Sequence, residues 1–204
     1  MRIGLYFGSF NPIHLGHLDV ANYMLTHIPC DEVWFIPSPL NPHKKQETLI
    51  PAETRLNWVK LAINDRSNIA VSDIEFHLGT PSYTHRTLLK LQEKFPTHQF
   101  LLIMGGDNLS GFHQWQNAKE ISEIAPLHVY ARPGYESPPN PMPYGATWHQ
   151  APLIDISATD IRNRLEHDLS INHLVPENLI VEIVGFFKES LVQSNHQISN
   201  PESH

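Results

Sequence analysis

The sequence of 204 residues predicts an α/β protein whose mainly parallel, doubly wound sheet carries helices on both faces. Short apolar runs alternate along the chain with segments whose apolar residues recur at helical spacing. Parallel strands need crossovers of a dozen or more residues, and this alternation supplies a helix for each crossover. With 41% hydrophobic residues, a chain of this length can bury one core without a disulfide or a structural metal.

The first part of the chain reads as a strand, a helix and a second strand. Residues 2–7 are predicted as a buried strand, residues 17–28 as a helix and residues 32–36 as a β-rich strand that ends at proline. A polar, proline-marked loop over residues 38–51 leads to a predicted helix at 53–65. The chain therefore opens with the β-α-β unit that is typical of a parallel sheet.

The same alternation continues through the middle of the chain. The next predicted elements are, in order, a strand at 69–74, a helix at 84–95, a strand at 99–104, a helix at 118–124 and a strand at 127–131. Each strand is again separated from the next by a helix, so the prediction of a parallel sheet extends over these residues.

The last third contains a long proline-rich segment and two further helices. Residues 133–152 are interpreted as a surface loop or lid edge, and residues 153–156 as a strand that feeds a helix from Ala158. A closing helix is predicted at 177–191. We therefore expect a single domain over residues 1–191, followed by a disordered tail at 192–204.

Composition excludes several classes of protein. The one cysteine, Cys30, cannot form an internal disulfide, which together with the lack of a basic and apolar leader predicts a cytoplasmic protein. The longest apolar runs are far shorter than the roughly 20 residues of a membrane span, so no membrane association is expected. A net charge of −7 argues against a nucleic-acid partner. A homo-oligomer is compatible with the sequence, which does not specify the oligomeric state.

The loop after the first strand is the strongest functional signal. It reads GSFNPIHLGH over residues 8–17, and Gly8 would let the backbone approach a ligand beside the N-terminus of the next helix, a site that suits anions. The loop matches neither the GxGxxG fingerprint nor the Walker loop. His14 and His17 are three residues apart and should lie on one helix face, where each could donate to a phosphoryl oxygen. A metal site and a purely structural role are the alternatives for this pair.

This loop resembles the (H/T)xGH signature of a nucleotidyltransferase superfamily with a Rossmann-like fold. Residues 156–162, ISATDIR, resemble the second signature of the same superfamily, and both occur in the expected order. PSYT at 81–84, NPHK at 41–44, GGDN at 105–108 and Trp115 are similar to the bacterial nicotinate-nucleotide adenylyltransferases in particular. The resemblance covers roughly residues 2–190.

The resemblance implies an enzyme of NAD biosynthesis that transfers AMP from ATP to nicotinate mononucleotide, with nicotinate adenine dinucleotide and pyrophosphate as products. His14, His17 and Arg162 would be the catalytic residues. The implied ATP-binding residues are Gly8, Ser9, Phe10, His14, His17, Gly105, Asp107, Ile156, Ser157 and Arg162. Those for nicotinate mononucleotide are Asn11, Lys44, Ser82, Tyr83, Thr84 and Trp115. Mg²⁺ would be the cofactor, carried by the ATP phosphates with no protein metal site.

Several of these residues also have simpler interpretations. Ser157 could cap a helix, Asp107 could do the same instead of binding ribose, Trp115 could pack in the core and Lys44 could be solvated. Ala158 stands where the family commonly has a second serine, and Asn11 replaces a common aspartate.

Other functions remain open from the sequence. They are an adenylyltransferase for nicotinamide mononucleotide or phosphopantetheine, a non-catalytic nucleotide-sensing module, which Ala158 encourages, and a histidine-based metal-binding protein. A substrate panel separates the first group from the main prediction. ATP binding without pyrophosphate release would indicate the second, and stoichiometric zinc or nickel the third.

Overall fold

A computed structural model describes residues 1–40, 49–137, 141–151 and 156–198, with residues 191–198 described as backbone only. The strands are β1 (Arg2–Gly8), β2 (Glu32–Pro37), β3 (Ile69–Val71), β4 (Gln99–Gly105), β5 (Leu127–Tyr130) and β6 (Thr147–His149). The helices are α1 (Leu15–His27), α2 (Ala52–Ala62), α3 (Thr84–Lys94), α4 (Gly106–Gly111), α5 (Ala118–Ile124), α6 (Ala158–Glu166) and α7 (Glu177–Ile198). None of the helices in these ranges is long and apolar enough to cross a membrane.

The described strands form one sheet in the order β3-β2-β1-β4-β5-β6, and every neighbouring pair is parallel. The chain first builds outward from β1 through β2 to β3, then crosses to β4 and builds outward on the other side. This order is that of two β-α-β-α-β halves that meet between β1 and β4. The predicted doubly wound, Rossmann-like parallel sheet is confirmed.

The core lies on both faces of the sheet because the strands alternate their side chains between the faces. Ile3 and Leu5 of β1 pack with apolar residues of α3, α4 and α5. Tyr6 of the same strand packs on the opposite face with residues of α1, α2, α6 and α7. The two-sided core explains why the central strands are apolar throughout rather than alternating with polar residues.

The sixth strand differs from the prediction. β6 lies within residues 133–152, which were predicted to be a loop, and it pairs with β5 through His128 with Thr147 and Tyr130 with His149. The prediction of a strand at 153–156 is not supported at Ile156, which is not in a strand, and its other residues lie outside the described ranges. A strand of three residues is too short to show an alternating pattern, so its sequence carries no signal.

Other boundaries shift by a few residues. The strand predicted at 69–74 ends at Val71, and residues Ile74–His77 form a 3₁₀ turn. The segment after β4 contains α4 and a second 3₁₀ turn at Phe112–Gln114. Neither was predicted, because α4 is short and has glycine, a poor helix former, at both ends. The final helix continues to Ile198, past its predicted end at 191. A single domain over residues 1–191 stays a prediction.

Candidate active site

An open cleft of about 600 Å³ lies beyond the carboxyl ends of the central strands. The loops after β1, β2, β4 and β5 and the first turns of α3 and α6 form its walls. Ligands in open α/β sheets bind at this edge, where the order of the strands reverses, because loops that leave neighbouring strands in opposite directions open a crevice between them. The position of the cleft between β1 and β4 therefore follows from the topology.

Most of the residues singled out from the sequence meet here. The predicted residues that line the cleft are Gly8, Ser9, Phe10, Asn11, His17, Ser82, Tyr83, Thr84, Asp107, Trp115 and Arg162. His14 and Ile156 line a narrow crevice that shares His17 and Arg132 with the cleft. Ser157 lies between the lining residues Ile156 and Ala158, whereas Gly105 lines neither cavity and precedes the lining residue Asp107 by two positions. Lys44, with the NPHK segment, lies outside the described residues.

The loop after β1 is shaped by one aromatic ring. Phe10 is 2% exposed and adopts a φ of 45°, a left-handed conformation that non-glycine residues rarely take. A Cβ atom at Gly8 would lie 2.7 Å from the Phe10 ring. The missing side chain at Gly8 therefore leaves room for the Phe10 ring, while Gly8 itself lines the cleft. That its backbone contacts a ligand stays a prediction.

The two histidines of the first signature are stacked. His14 is the N-cap residue of α1, and its ring lies 3.6 Å from the ring of His17, centroid to centroid. The backbone N–H of His14 donates to Nδ1 of His17 at 3.3 Å. The Phe10 ring packs edge-on against His17, with centroids 5.0 Å apart. The spacing of three residues thus brings both imidazoles together at the start of the helix, as predicted.

His14 is almost fully buried, which fixes its charge state. Burial, with a smaller contribution from the charge of Arg132, lowers the pKa of His14 from 6.5 to about 3. The ring is therefore neutral near pH 7 and offers one N–H donor. Its Nδ1 atom is buried and has no hydrogen-bond partner within the described ranges. A buried polar atom without a partner is costly unless a ligand or water completes it.

Helix α6 brings the second signature to the first. Its N-cap is Ser157, whose Oγ accepts a hydrogen bond from the backbone N–H of Asp160 at 3.0 Å, so the capping interpretation is correct. The guanidinium of Arg162 donates to the carbonyl of Asn11 at 2.7 Å and to Oγ1 of Thr159 at 3.2 Å. This contact joins the two motifs directly, and burial lowers the pKa of Arg162.

Asp107 stands in the first turn of α4, whose N-cap is Gly105, so the alternative that Asp107 caps this helix is wrong. One carboxylate oxygen, Oδ2, accepts from Nη1 of Arg132 at 3.1 Å. The other, Oδ1, is buried and finds no hydrogen-bond partner in the described part of the chain. The side chain of Asp107 lines the cleft and thus contains one acceptor that no described residue satisfies.

Three cleft residues at the ends of β1 and β5 were not identified from the sequence as site residues. Arg132 follows β5 and supplies a cation close to Asp107 and His14. The hydroxyls of Tyr6 and Tyr130 lie 3.1 Å apart under the cleft, and burial raises the pKa of both. The signal for Arg132 was its position directly after a strand, where site residues were expected, whereas Tyr6 and Tyr130 resembled ordinary core residues.

The opposite wall is formed at the start of α3. Tyr83 is the N-cap residue of this helix and Thr84 its first residue, so the N–H groups of its first turn lie at the cleft. Trp115 lines the same region and packs on Phe112, with ring centroids 5.2 Å apart. The indole therefore both packs against the core and faces the cleft, and the two interpretations of Trp115 are compatible.

A buried carboxyl group underlies this wall. Glu75 is 2% exposed and lines the cleft, and its Oε1 accepts from the hydroxyl of Thr87 at 2.9 Å. Burial raises the pKa of Glu75, while the hydroxyls of Ser38, Thr87 and Ser82 oppose that rise. Glu75 was not selected from the sequence, although it directly follows the strand predicted at 69–74 and so occupies the same kind of position as Arg132.

A doubly wound parallel sheet with a cleft at its switch point, lined here by His17, Arg132 and Arg162, is typical of nucleotide-binding α/β proteins. Within that class, the cytidylyltransferase-like family model matches residues 5–164. The chain belongs to the cytidylyltransferase-like family. Its resemblance to the nicotinate-nucleotide adenylyltransferases, which the sequence motifs indicated, is confirmed by the relatives described next.

A Flavobacterium johnsoniae protein named "Probable nicotinate-nucleotide adenylyltransferase" is 44% identical over 193 residues, which are 93% of this chain and 100% of the relative. A Flavobacterium psychrophilum protein of the same name is 41% identical over the same shares. The structure of Plasmodium falciparum nicotinic acid mononucleotide adenylyltransferase complexed with NaAD matches with a TM-score of 0.76 and 20% identity. The match covers 91% of this chain and 95% of that one. At that identity the structural match supports the fold.

Proposed function

We propose that the protein transfers AMP from ATP to nicotinate mononucleotide, forming nicotinate adenine dinucleotide and pyrophosphate. The observation that carries the proposal is the meeting of both signatures in one cleft, where Arg162 donates to the carbonyl of Asn11. The function of the Flavobacterium relatives, as their names give it, agrees with this reaction.

The reaction needs no nucleophile from the protein. The 5′-phosphate of nicotinate mononucleotide attacks the α-phosphorus of ATP, a new phosphorus–oxygen bond forms, and the bond between the α- and β-phosphates breaks to release pyrophosphate. The protein has to align two anions and stabilise the charge that develops on the transferring group. We propose that His17, with His14 beside it, donates a hydrogen bond to the α-phosphate. Arg162 would contact the β- and γ-phosphates.

Nucleotide substrates of this kind are generally bound with a divalent cation, and we propose Mg²⁺. Among the described residues, no three histidine, cysteine, aspartate or glutamate side chains come together to hold an ion. In this proposal the main ligands of the ion are phosphate oxygens of ATP. When bound, Mg²⁺ would neutralise part of the phosphate charge.

The nucleoside parts are assigned to the two ends of the cleft. The Asp107 carboxylate would accept from a ribose hydroxyl of ATP, and Gly105 and Ile156 are assigned to the same substrate. At the other end, the pyridine ring would stack on Trp115, a flat cationic ring on an aromatic face.

The nicotinate carboxylate would be bound at the N-terminus of α3. The backbone N–H groups after Tyr83 suit an acid fully and an amide only in part, because both oxygens of the carboxylate accept. Ser82 precedes them in the same wall, and Lys44 would meet the phosphate of the mononucleotide. We also propose a cytoplasmic location, and self-association remains open.

The test is pyrophosphate release with ATP and Mg²⁺, with nicotinate mononucleotide, nicotinamide mononucleotide and phosphopantetheine compared at equal concentration. We expect strong preference for the nicotinate substrate. Preference for another acceptor would overturn the roles of Tyr83, Thr84 and Trp115. ATP binding without pyrophosphate release for any of the three acceptors would indicate a sensing module instead.

A further inference from the structure

Arg55 of α2 is a fully buried arginine that touches the loops of the cleft from behind. Its side chain is 0% exposed. Nε donates to the carbonyl of Ile50 at 2.8 Å, and Nη1 donates to the carbonyls of Ser9 at 2.6 Å and Ser38 at 2.8 Å. Nη2 donates to the carbonyl of Pro39 at 2.8 Å. One guanidinium thus joins the loop after β1, the loop after β2 and the chain before α2.

These hydrogen bonds orient the peptide groups of the loop after β1. Ser9 and Ser38 both line the cleft. In a trans peptide the C=O and N–H groups point in opposite directions, so the carbonyl of Ser9 can face Arg55 only if the N–H of Phe10 faces away from it. Arg55 therefore helps to fix which groups of the loop are presented to a ligand.

Among the described residues, no carboxylate forms an ion pair with Arg55. All four acceptors are neutral carbonyl oxygens. Burial lowers the pKa of Arg55 to about 10, so the group stays charged near pH 7. A buried charge without a counter-charge is costly, and an anion bound nearby would offset that cost.

We propose that Arg55 is a positioning residue that supplies a fixed positive charge beneath the cleft and thereby strengthens the binding of phosphate groups. The inference rests on the proposed function, because it requires that phosphorylated nucleosides occupy the cleft. Arg55 does not touch the ligand in this proposal. It acts through the loop it holds and through its electric field, which is weakly screened because water is excluded around it.

The test is a series of ligands that differ in charge. Dissociation constants are measured for adenosine, AMP, ADP and ATP, without Mg²⁺ and at constant ionic strength, on the wild type, two Arg55 variants and one control variant. Arg55→Gln removes the charge and keeps polar donors for the carbonyls, whereas Arg55→Lys keeps the charge and loses the planar fork. Lys60→Gln is the matched control, since it removes an exposed charge from the same helix.

We expect Arg55→Gln to bind adenosine like the wild type and to lose about three- to tenfold in affinity for each charge added to the ligand. Arg55→Lys and Lys60→Gln should keep the wild-type dependence on charge. Each dissociation constant is divided by that of adenosine for the same variant. A smaller folded fraction changes both constants by the same factor and therefore does not change their ratio. If Arg55→Gln does not fold, Arg55→Lys tests the proposal. If the affinity of Arg55→Lys no longer rises with ligand charge as in the wild type, the proposal is contradicted.

Two other outcomes are decisive. An equal loss of affinity for all four ligands in Arg55→Gln would show that Arg55 only braces the loop, and an unchanged series would show no role in binding. If the wild type binds none of these nucleotides, with or without Mg²⁺, the proposed function itself fails, and that result differs from every result that concerns Arg55 alone.

Discussion

His14 and His17 occupy neighbouring positions but differ in exposure. His14 is 3% exposed and its pKa is lowered to about 3, so it acts as a neutral group held by its surroundings. His17 is partly exposed and lines the main cleft, with the Phe10 ring edge-on beside it. The residue that lines the cleft is therefore the one expected to respond directly to a bound phosphate.

We expect His17→Ala to lower turnover by about 10² to 10³, the usual effect of removing one preorganised donor to developing charge. The fold should survive, because the side chain is only partly buried. Turnover and thermal unfolding are measured together, and His27→Ala, an exposed position at the far end of the same helix, is the control. Wild-type turnover in His17→Ala would contradict the assigned role.

At the scale of single residues, motif positions were predictable and buried partners were not. His17 and Arg162 could be selected because their spacing and their place at helix starts restrict their chemistry. The burial and the partners of Arg55 and Glu75 could not be predicted, since each depends on groups from other segments that only folding brings together. The residues next to an arginine in the chain do not show whether its side chain will be buried against carbonyl groups or exposed on a helix surface.

Among the elements, α6 depends on its cap. Ser157 satisfies the N–H of Asp160, one of the groups that an isolated helix start leaves unpaired. The same helix carries Arg162 to the loop after β1, so its start has to be fixed for that contact to form.

We expect Ser157→Ala to lower the free energy of unfolding by about 1 kcal/mol, and Ser157→Asn to keep it close to the wild type, because asparagine also caps helices. Urea unfolding measures both. If the hydroxyl also contacts phosphate, Ser157→Asn will be as stable as the wild type but slower in pyrophosphate release. Equal rates for the two proteins would limit Ser157 to capping.

The elements that were missed are the short ones. α4 has glycine at both ends and β6 has three residues, so neither shows a period long enough to recognise. β6 forms because backbone hydrogen bonds of β5 are open at that edge of the sheet, a property of the neighbour rather than of residues 147–149. The 11-residue helix α3 was located to within one residue, and the seven-residue helix α5, which has no internal glycine, was found at its predicted bounds.

For the whole molecule, the alternation of strands and helices predicted a parallel sheet but not the order of its strands. The placement of β4 beside β1 brings residues 8–17 and 105–108 to one cleft. This placement follows from right-handed crossovers in two directions, and no single segment encodes where the direction reverses.

Two buried histidines predict how the stability of the molecule depends on pH. Burial lowers the pKa of His14 to about 3 and, together with His149, that of His128 to about 4, both from 6.5. Below 6.5 the unfolded chain takes up protons that the native state excludes. The contribution of these groups is therefore complete above pH 6.5 and is lost as the pH falls toward 4 and then 3.

We expect His128→Asn to remove about 1 to 2 kcal/mol of the stability difference between pH values near 7 and near 5. Asparagine keeps a polar partner for His149, which lies 3.0 Å from Nδ1 of His128, but does not titrate in this range. Urea unfolding of both proteins at the two pH values provides the comparison. An unchanged difference would place the acid sensitivity in other groups.

The contact between Gly8 and the Phe10 ring has a consequence for how relatives of this chain can diverge. Since a Cβ at residue 8 and an aromatic ring at residue 10 claim the same volume, the two positions cannot change independently. A larger side chain at residue 8 becomes acceptable only when residue 10 has already become smaller, and that change removes the edge-on neighbour of His17. Substitutions at the two positions should therefore appear as linked pairs across diverging sequences, in a fixed historical order.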